Sequence, residues 1–284
     1  MRGDASAPGA ATVINAIATL QGSAFAVDLR TEATVELEEG SEKIEGKTDV
    51  DVDTTLIETC VARTLDRFGL EAGGRVETTT EIPPESGLKS SSAAANATVL
   101  ATLDAVDETL EPLEATLVGV EAAREAGVTI TGALDDAAAS ALGGVVLTDN
   151  SSDELLNREQ FDRHVAVYVP DERAASASTD VERSKNVAPV VRRAFEMARE
   201  GDYADAMTTN GFAYCAALGR DASPAVDALA HVEGAGLSGT GPSFAAIGDR
   251  GSIKEVAKDW KRLKGKVLTL ETDNRGASTN SGTR

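Results

Sequence analysis

Pro83-Pro84-Glu85-Ser86-Gly87-Leu88-Lys89-Ser90-Ser91-Ser92-Ala93-Ala94 is the stretch that decides the fold of this chain. Residues 75–82 before it alternate as in a strand, and residues 97–103 after it are strongly helix-forming. The predicted order is therefore strand, Gly/Ser turn, helix. The first amides of a helix lack partners within the helix and lie at the positive end of its dipole, so a turn of small residues there is suited to phosphate.

The same stretch has a plainer explanation, in which Gly87 and the serines only start a helix with a serine as its N-cap. The stretch matches neither the G-x-x-x-x-G-K-[ST] loop nor the G-x-G-x-x-G fingerprint of nucleotide-binding proteins. Two interpretations therefore remain: a phosphate-binding turn of another type, and a turn that only starts a helix.

Composition limits the classes of partner. The 284 residues include 42% hydrophobic ones and predict a globular protein of one large or two closely packed domains. A formal net charge of −20 argues against nucleic acid and anionic membranes as partners, and a dispersed acidic excess is typical of proteins that stay soluble in concentrated salt. The sequence has no apolar signal core and no apolar run long enough to span a membrane, so we expect a cytoplasmic protein. We also expect a monomer or homodimer that acts on a small molecule.

The two cysteines carry no metal-binding signal. Cys60 and Cys215 are far apart and have no His or Cys neighbours at metal spacing. We expect buried free thiols.

A second polar turn, in residues 129–140, brings two carboxylates to the start of an alanine-rich helix. Asp135 and Asp136 can be helix N-terminal charges favoured by the dipole. In a cleft, such a carboxylate could instead take a proton from a hydroxyl group or orient it.

A third turn, in residues 233–248, contains four glycines before an apolar strand: Gly234, Gly236, Gly239 and Gly241. A hairpin would account for one or two of them. The rest predict unusual dihedral angles or close approach to a ligand.

These three turns, with the small-residue segment around Pro8-Gly9, resemble the ordered motifs of the GHMP superfamily of small-molecule kinases. The pattern P-x-x-x-G-L-x-S-S-[SA]-A resembles the phosphate-binding motif of the superfamily, and its form in residues 86–97 looks most like that of the archaeal-type shikimate kinases. The likeness spans nearly the whole chain. It implies an α+β fold, with a ribosomal protein S5 domain 2-like N-terminal half (residues 1–150), a ferredoxin-like C-terminal half (residues 151–284) and the active site between them.

The resemblance implies ATP- and Mg²⁺-dependent phosphorylation of the shikimate 3-hydroxyl in aromatic amino acid biosynthesis. The alternatives are another kinase of the superfamily, acting on homoserine or mevalonate, and a non-catalytic metabolite-binding relative. By resemblance, Asp135 is the catalytic carboxylate, with Asp136 as second choice. Ser91 and Glu125 would hold Mg²⁺, although Glu121 and Glu125, four apart on one helix, also fit a solvated face.

The ATP-binding residues implied by the resemblance are Pro84, Glu85, Ser86, Gly87, Leu88, Lys89, Ser90, Ser91, Ser92, Ala93, Ala94, Gly236, Ser238 and Gly239. One position departs from the superfamily. Some members carry a lysine directly after Pro-Gly, where this chain has Ala10.

The remaining pattern predicts further elements. We expect a Pro8-Gly9 turn, a strand at 164–169, a helix over 181–199, an edge strand at 266–270, a flexible crossing near 174–180 and a frayed tail over 273–284. An arginine such as Arg192 or Arg193 would suit a substrate carboxylate. The sequence does not say which arginine would do so.

Overall fold

Two β-sheets organise the chain, as a computed structural model shows for residues 1–41, 43–83, 86–129, 131–171 and 180–280. The strands in this part of the chain are β1 (Arg2–Ile14), β2 (Gln21–Glu39), β3 (Ile44–Thr48), β4 (Ala72–Thr80), β5 (Val145–Asp149), β6 (Glu154–Glu159), β7 (His164–Pro170), β8 (Gly234–Leu237), β9 (Phe244–Gly248), β10 (Gly265–Glu271) and β11 (Ser278–Thr279). The helices are α1 (Thr55–Arg67), α2 (Ser90–Val106), α3 (Pro112–Glu125), α4 (Leu134–Leu142), α5 (Val181–Lys185), α6 (Ala188–Arg199), α7 (Tyr203–Leu218), α8 (Ser223–Ala228) and α9 (Arg250–Trp260).

The first sheet is built on the long antiparallel pair of β1 and β2. Its strand order is β11-β1-β2-β4-β3, and the hairpin of β5 and β6 joins through β2. Helix α2 packs against β1 and β2, and α1, α3 and α4 pack around α2. Small side chains let this helix approach the sheet closely: a Cβ added to Gly3 of β1 would lie 2.1 Å from the carbonyl oxygen of Ala101.

The second sheet has the antiparallel order β10-β7-β9-β8, with α7 against β8 and α9 against β7. This β-α-β-β-α-β arrangement confirms the ferredoxin-like half and the α+β class. The predicted edge strand is confirmed too, since β10 lies at the end of the order.

One continuous core runs through both sheets, and alanine, valine, leucine and isoleucine dominate it. Cys60 and Cys215 are buried free thiols, as predicted. Strands β6 and β11 belong to the first sheet, so a single cut after residue 150 does not separate the two sheets.

Residues 273–280 are ordered against the first sheet, so the prediction of a frayed tail is wrong for them. Asp273 is 4% exposed and accepts a hydrogen bond from Arg30 Nη1 at 2.9 Å. Thr279 of β11 pairs with Ala5 of β1. A buried ion pair and a strand ladder hold the segment, and a sequence of polar residues does not reveal either one. Residues 281–284 lie outside the described part of the chain.

The predicted turn at Pro8-Gly9 is also wrong, because both residues lie inside β1 at a register shift against β2. A bulge uses the same residue types as a turn and leaves the strand continuous.

The helix predicted over 181–199 is broken into α5 and α6. Pro189 lacks an amide hydrogen, and its ring would clash with the carbonyl of Lys185, the residue at which α5 ends. The crossing predicted near 174–180 falls mostly on residues 172–179, which lie outside the described residues.

Candidate active site

The turn between β4 and α2 places the amides of a helix N-terminus beside a cleft. Helix α2 begins at Ser90, and its N-cap is Lys89, in the left-handed region with φ +60° and with no capping hydrogen bond from its side chain. A serine N-cap, the plainer explanation of the sequence, is therefore not what forms. The amides of Ser90, Ser91 and Ser92 lie at the positive end of the dipole without a side-chain cap from the described residues.

Strand β1 holds this turn from one side. The amide of Ala10 donates to the carbonyl oxygen of Leu88 at 3.1 Å. A Cβ added to the neighbouring Gly9 would lie 2.9 Å from the same oxygen, so only glycine allows this approach. The bulge in β1 therefore positions the turn, and the Leu88 side chain is fully buried in the core.

The glycine-rich turn after β8 holds the same turn from the other side. Ser238 Oγ donates to the carbonyl oxygen of Gly87 at 2.9 Å. Gly87 has φ +70°, and a Cβ there would lie 2.6 Å from the carbonyl oxygen of Ser238. Ser238 therefore supports the turn from behind, while Gly239 lines the cleft.

The four glycines of this segment have two separate explanations. Gly239 and Gly241 take φ of +62° and +75°, which favour glycine. Gly234 and Gly236 pack against α7, where a Cβ on Gly236 would lie 2.6 Å from the carbonyl oxygen of Met207. Gly236, predicted to bind ATP, is thus a packing residue outside the cleft lining.

The cleft has a volume of about 310 Å³. The predicted residues that line it are Ser86, Gly87, Lys89, Ser90, Ser91, Ser92, Gly239, Asp135 and Asp136. Ser86 is 1% exposed, and its Oγ has no hydrogen-bond partner among the described residues. Ala93 and Ala94 pack in or against the core, and Pro84 and Glu85 lie outside the described residues.

Helix α4 brings both carboxylates to the cleft from the opposite wall. Its N-cap, Ala133, has φ +49°. Asp135 is 4% exposed, and its Oδ1 accepts a hydrogen bond from Asn150 Nδ2 at 2.9 Å. A Cβ on Gly22 of β2 would lie 2.5 Å from Asp135 Cγ, so glycine at that position makes room for the carboxylate.

Burial raises the pKa of the Asp135 carboxyl to about 7, and the adjacent charge of Asp136 adds to the rise. The charge of Lys89 and the hydrogen bond from Asn150 act in the opposite direction. A carboxyl group with this pKa can both accept and release a proton near neutral pH, which is what general acid–base catalysis requires.

Lys89 and Asp136 form an ion pair across the cleft, with Nζ 2.9 Å from Oδ2. The other oxygen, Asp136 Oδ1, is buried and has no hydrogen-bond partner among the described residues. Lys89 is also the one basic residue in the described lining of the cleft. Its charge is therefore the one that an anionic ligand would meet there.

The structure does not bring Glu125 to this cleft. Arg63 donates to Glu125 from Nε and to Glu121 from Nη1, both at 2.7 Å, in a surface groove between α1 and α3. The two glutamates do share one helix face, as their spacing predicts, and the single positive charge of Arg63 offsets one of their two negative charges. Arg192 and Arg193 are exposed on α6 and do not line the cleft either.

Sequence reasoning missed Asn150 and Gly22. Asn150 directly follows β5, and a polar residue at a strand end was the available signal. Gly22 carries no such signal, because its role depends on a side chain 113 positions away that packs against it.

Comparison with known proteins agrees with this arrangement. Residues 55–144, which include the α2 turn and all of α4, match the family model described as the GHMP kinases N terminal domain. The chain is 50% identical over 283 residues to a shikimate kinase of Halobacterium salinarum, covering 98% of this chain and 100% of the relative. The chain belongs to the GHMP kinase family. A shikimate kinase of Methanosarcina mazei is 51% identical to this GHMP kinase over 282 residues, covering 98% of this chain and 96% of the relative.

Solved structures share the fold of this GHMP kinase. A homoserine kinase from Cytophaga hutchinsonii superimposes with a TM-score of 0.77 at 18% identity, covering 98% of this chain and 97% of the other. The mevalonate kinase of Methanococcus jannaschii gives 0.76 at 14% identity, covering 96% and 98%. These identities support a common fold and no more than that.

Proposed function

We propose that this protein transfers the γ-phosphoryl group of ATP to the 3-hydroxyl group of shikimate, giving shikimate 3-phosphate for aromatic amino acid biosynthesis. The observation that carries the proposal is the cleft itself, which joins the uncapped N-terminus of α2 to the buried Asp135. The choice of acceptor is supported by relatives named shikimate kinases that are about half identical over nearly the full length.

The turn at the start of α2 fits a polyphosphate. The amides of Ser90, Ser91 and Ser92 would donate to phosphate oxygens, and the unpartnered Ser86 Oγ offers a further donor. The Lys89 charge would offset the negative charge of the group being transferred. The close packing of Gly87 on Ser238 keeps the turn rigid, so little free energy is spent on ordering it.

We propose Mg²⁺ as cofactor, with the hydroxyl of Ser91 as its protein ligand. Bound Mg²⁺ would neutralise charge on the phosphate oxygens. The described residues contain no group of three or more His, Cys, Asp or Glu side chains suited to a metal. That agrees with an ion held mainly by substrate phosphates, and Glu125, bound to Arg63 in another groove, is left out of this proposal.

In the proposed reaction, Asp135 accepts the proton of the acceptor hydroxyl. The O–H bond of the acceptor breaks, its oxygen forms a bond to the γ-phosphorus, and the bond from that phosphorus to the β-γ bridging oxygen breaks to release ADP. The proton ends on Asp135 and is later lost to water. Positioning and charge neutralisation supply most of the rate, since the transferring group needs little covalent help.

We further propose that the protein works in a salt-rich cytoplasm, on the strength of its dispersed acidic excess. In the described part of the chain, no helix is long and apolar enough to cross a membrane.

The test is an ADP-release assay at high KCl with ATP and, in turn, shikimate, homoserine, mevalonate and pantoate. We expect turnover with shikimate and a product whose phosphorus NMR spectrum is that of a phosphate monoester at the 3-oxygen. Turnover with homoserine or mevalonate and none with shikimate would show that the proposed acceptor is wrong. ATP binding without ADP formation for any acceptor would favour a metabolite-binding protein.

A further inference from the structure

The side chain that holds Asp135 in place is Asn150, which directly follows β5. Asn150 is 5% exposed, and its backbone amide donates to the carbonyl oxygen of Leu20 at 2.7 Å. Its position therefore depends on the β2–β5 pairing and not on a mobile loop.

The orientation of the Asn150 amide is determined by its partners. A carboxylate accepts hydrogen bonds and donates none, so the NH₂ group must face Asp135. The Oδ1 atom then faces Thr148, whose hydroxyl donates to it at 2.7 Å. Both Thr148 and Asn150 are buried. If the amide were reversed, its oxygen would face the Asp135 carboxylate with no hydrogen to share, and its NH₂ group would face the Thr148 hydroxyl, which would then have to accept a hydrogen bond.

The same NH₂ group also reaches the turn that precedes α4. Asn150 Nδ2 lies 3.5 Å from Thr131 Oγ1, which accepts a hydrogen bond at 3.2 Å from the amide of Ala133. Ala133 has a positive φ, so the start of α4 is held in a conformation that its own sequence does not favour. One side chain thus ties together the strand end, the turn and the carboxylate.

The hydrogen bond leaves the two oxygens of Asp135 in different surroundings. Oδ1 accepts the hydrogen bond from Asn150, whereas Oδ2 lies beside Gly22 and accepts no hydrogen bond from a described side chain. The backbone amide of Asp135 itself also bonds to this carboxylate. Asp135 lines the cleft, and Oδ2 is the oxygen that no neighbouring described side chain occupies.

We propose that Asn150 is a positioning residue for the reaction, holding Oδ1 of Asp135 through its amide so that Oδ2 receives the proton of the acceptor hydroxyl. The inference rests on the proposed kinase function. The charged and titratable groups that face Asp135 are Asp136 on its own helix, Lys89 at the start of α2 and Tyr214 on α7, and β2 presents Gly22. Against these, Asn150 supplies a neutral donor that favours the ionised carboxylate.

The test compares Asn150→Asp with a matched control, Asn157→Asp. Asn157 is exposed on β6 and donates to Glu159 at 2.7 Å, so the control makes the same chemical change beside a carboxylate outside the cleft. We measure kcat from pH 5.5 to 9.5 and the KM for ATP. Thr148→Val, which removes the hydroxyl that orients the amide, is the second variant if Asn150→Asp does not fold.

For Asn150→Asp we expect the pH midpoint of kcat to rise by about one unit or more, which lowers kcat at least about five-fold at pH 7 and restores much of it at pH 9. The KM for ATP should stay within about two-fold of wild type, because the phosphate turn is untouched. Thr148→Val should shift the midpoint in the same direction by less, and Asn157→Asp should match wild type. A wild-type midpoint in both Asn150→Asp and Thr148→Val would overturn the inference.

A second readout separates this inference from the proposed function. The difference in unfolding free energy between Asn150→Asp and the double variant Asp135→Asn/Asn150→Asp reports the titration of Asp135 without any turnover. The pH midpoint of this stability difference is compared with the midpoint of the difference between wild type and Asp135→Asn. If the stability midpoint moves while the midpoint of kcat does not, Asn150 controls the titration of Asp135 but Asp135 is not the base, and the proposed mechanism fails. If neither midpoint moves, the inference fails.

Discussion

Replacing Asp135 with asparagine should make the protein more stable and nearly inactive. The side chain keeps its shape, and Asn150 Nδ2 can still donate to the remaining oxygen. What is lost is a charge that burial and the neighbouring Asp136 disfavour. The proton acceptor of the proposed reaction is lost with it, so we expect kcat to fall by about 10²- to 10⁴-fold.

The size of the stability gain follows from the pKa of Asp135. Folding raises this pKa to about 7, whereas the unfolded chain releases the proton at about 3.9. Wild type therefore loses stability, relative to the variant, as pH rises from 4 to 7, by about 1.4 kcal/mol per pH unit. The gain for Asp135→Asn is complete above pH 7 and amounts to about 4 kcal/mol at most.

The assay is urea unfolding of both proteins in constant KCl from pH 5 to 8.5. The control is Asp53→Asn, an exposed carboxylate whose pKa is lowered by hydrogen bonds from the Thr55 side chain and backbone. The ionised form of Asp53 is the stabilised one, so that variant should be less stable than wild type, and because Asp53 is fully ionised above about pH 4 the difference should stay constant from pH 5 to 8.5. A difference between wild type and Asp135→Asn that stays flat from pH 5 to 8 would refute the argument, since Asp135 would then already be charged at pH 5.

Two further substitutions test the supports of the site and the fold. Gly22→Ala adds a Cβ only 2.5 Å from the present position of Asp135 Cγ, so the carboxylate must move. We expect kcat to fall about 10²-fold while the circular dichroism spectrum stays unchanged. Full activity of the variant would contradict the packing argument. Arg30→Ala leaves Asp273 buried without its ion-pair partner and should cost about 3 kcal/mol in urea unfolding. Arg275→Ala, which removes an exposed arginine 4.0 Å from the same carboxylate, should cost little, and equal losses in the two variants would contradict the assignment.

Local sequence was sufficient for the parts of the fold whose cause is local. The strand, turn and helix around Gly87 follow from alternation, small residues and helix propensity over some thirty positions, and they form as predicted. The position of α3 follows in the same way from Pro112 and its apolar spacing. The break before Pro189 could have been predicted too, because the clash of a proline with the carbonyl four residues earlier is a local effect.

Residue roles that depend on distant neighbours could not be read in this way. The serines after Gly87 suggested an N-cap, yet the cap is Lys89, whose side chain reaches across the cleft to Asp136 on another helix. Glu125 has the spacing of a candidate ligand, but the rotation of α3 directs it to Arg63 on α1. Gly236 looks like a member of a ligand-binding turn and is required by a helix that packs on its strand.

The sequence alone determines that this protein is an α+β chain with a phosphate-type turn, two adjacent carboxylates at a helix start and a large acidic excess. Those properties depend on propensity, periodicity and net charge, all of which act within a few residues or over the whole composition. Only the tertiary structure decided that Asn150 holds Asp135, that Gly22 makes room for it, and that Asp273 locks the C-terminal segment onto Arg30. Burial and hydrogen bonding between residues more than ten positions apart set these contacts, and they exist only once the two sheets and their helices have packed.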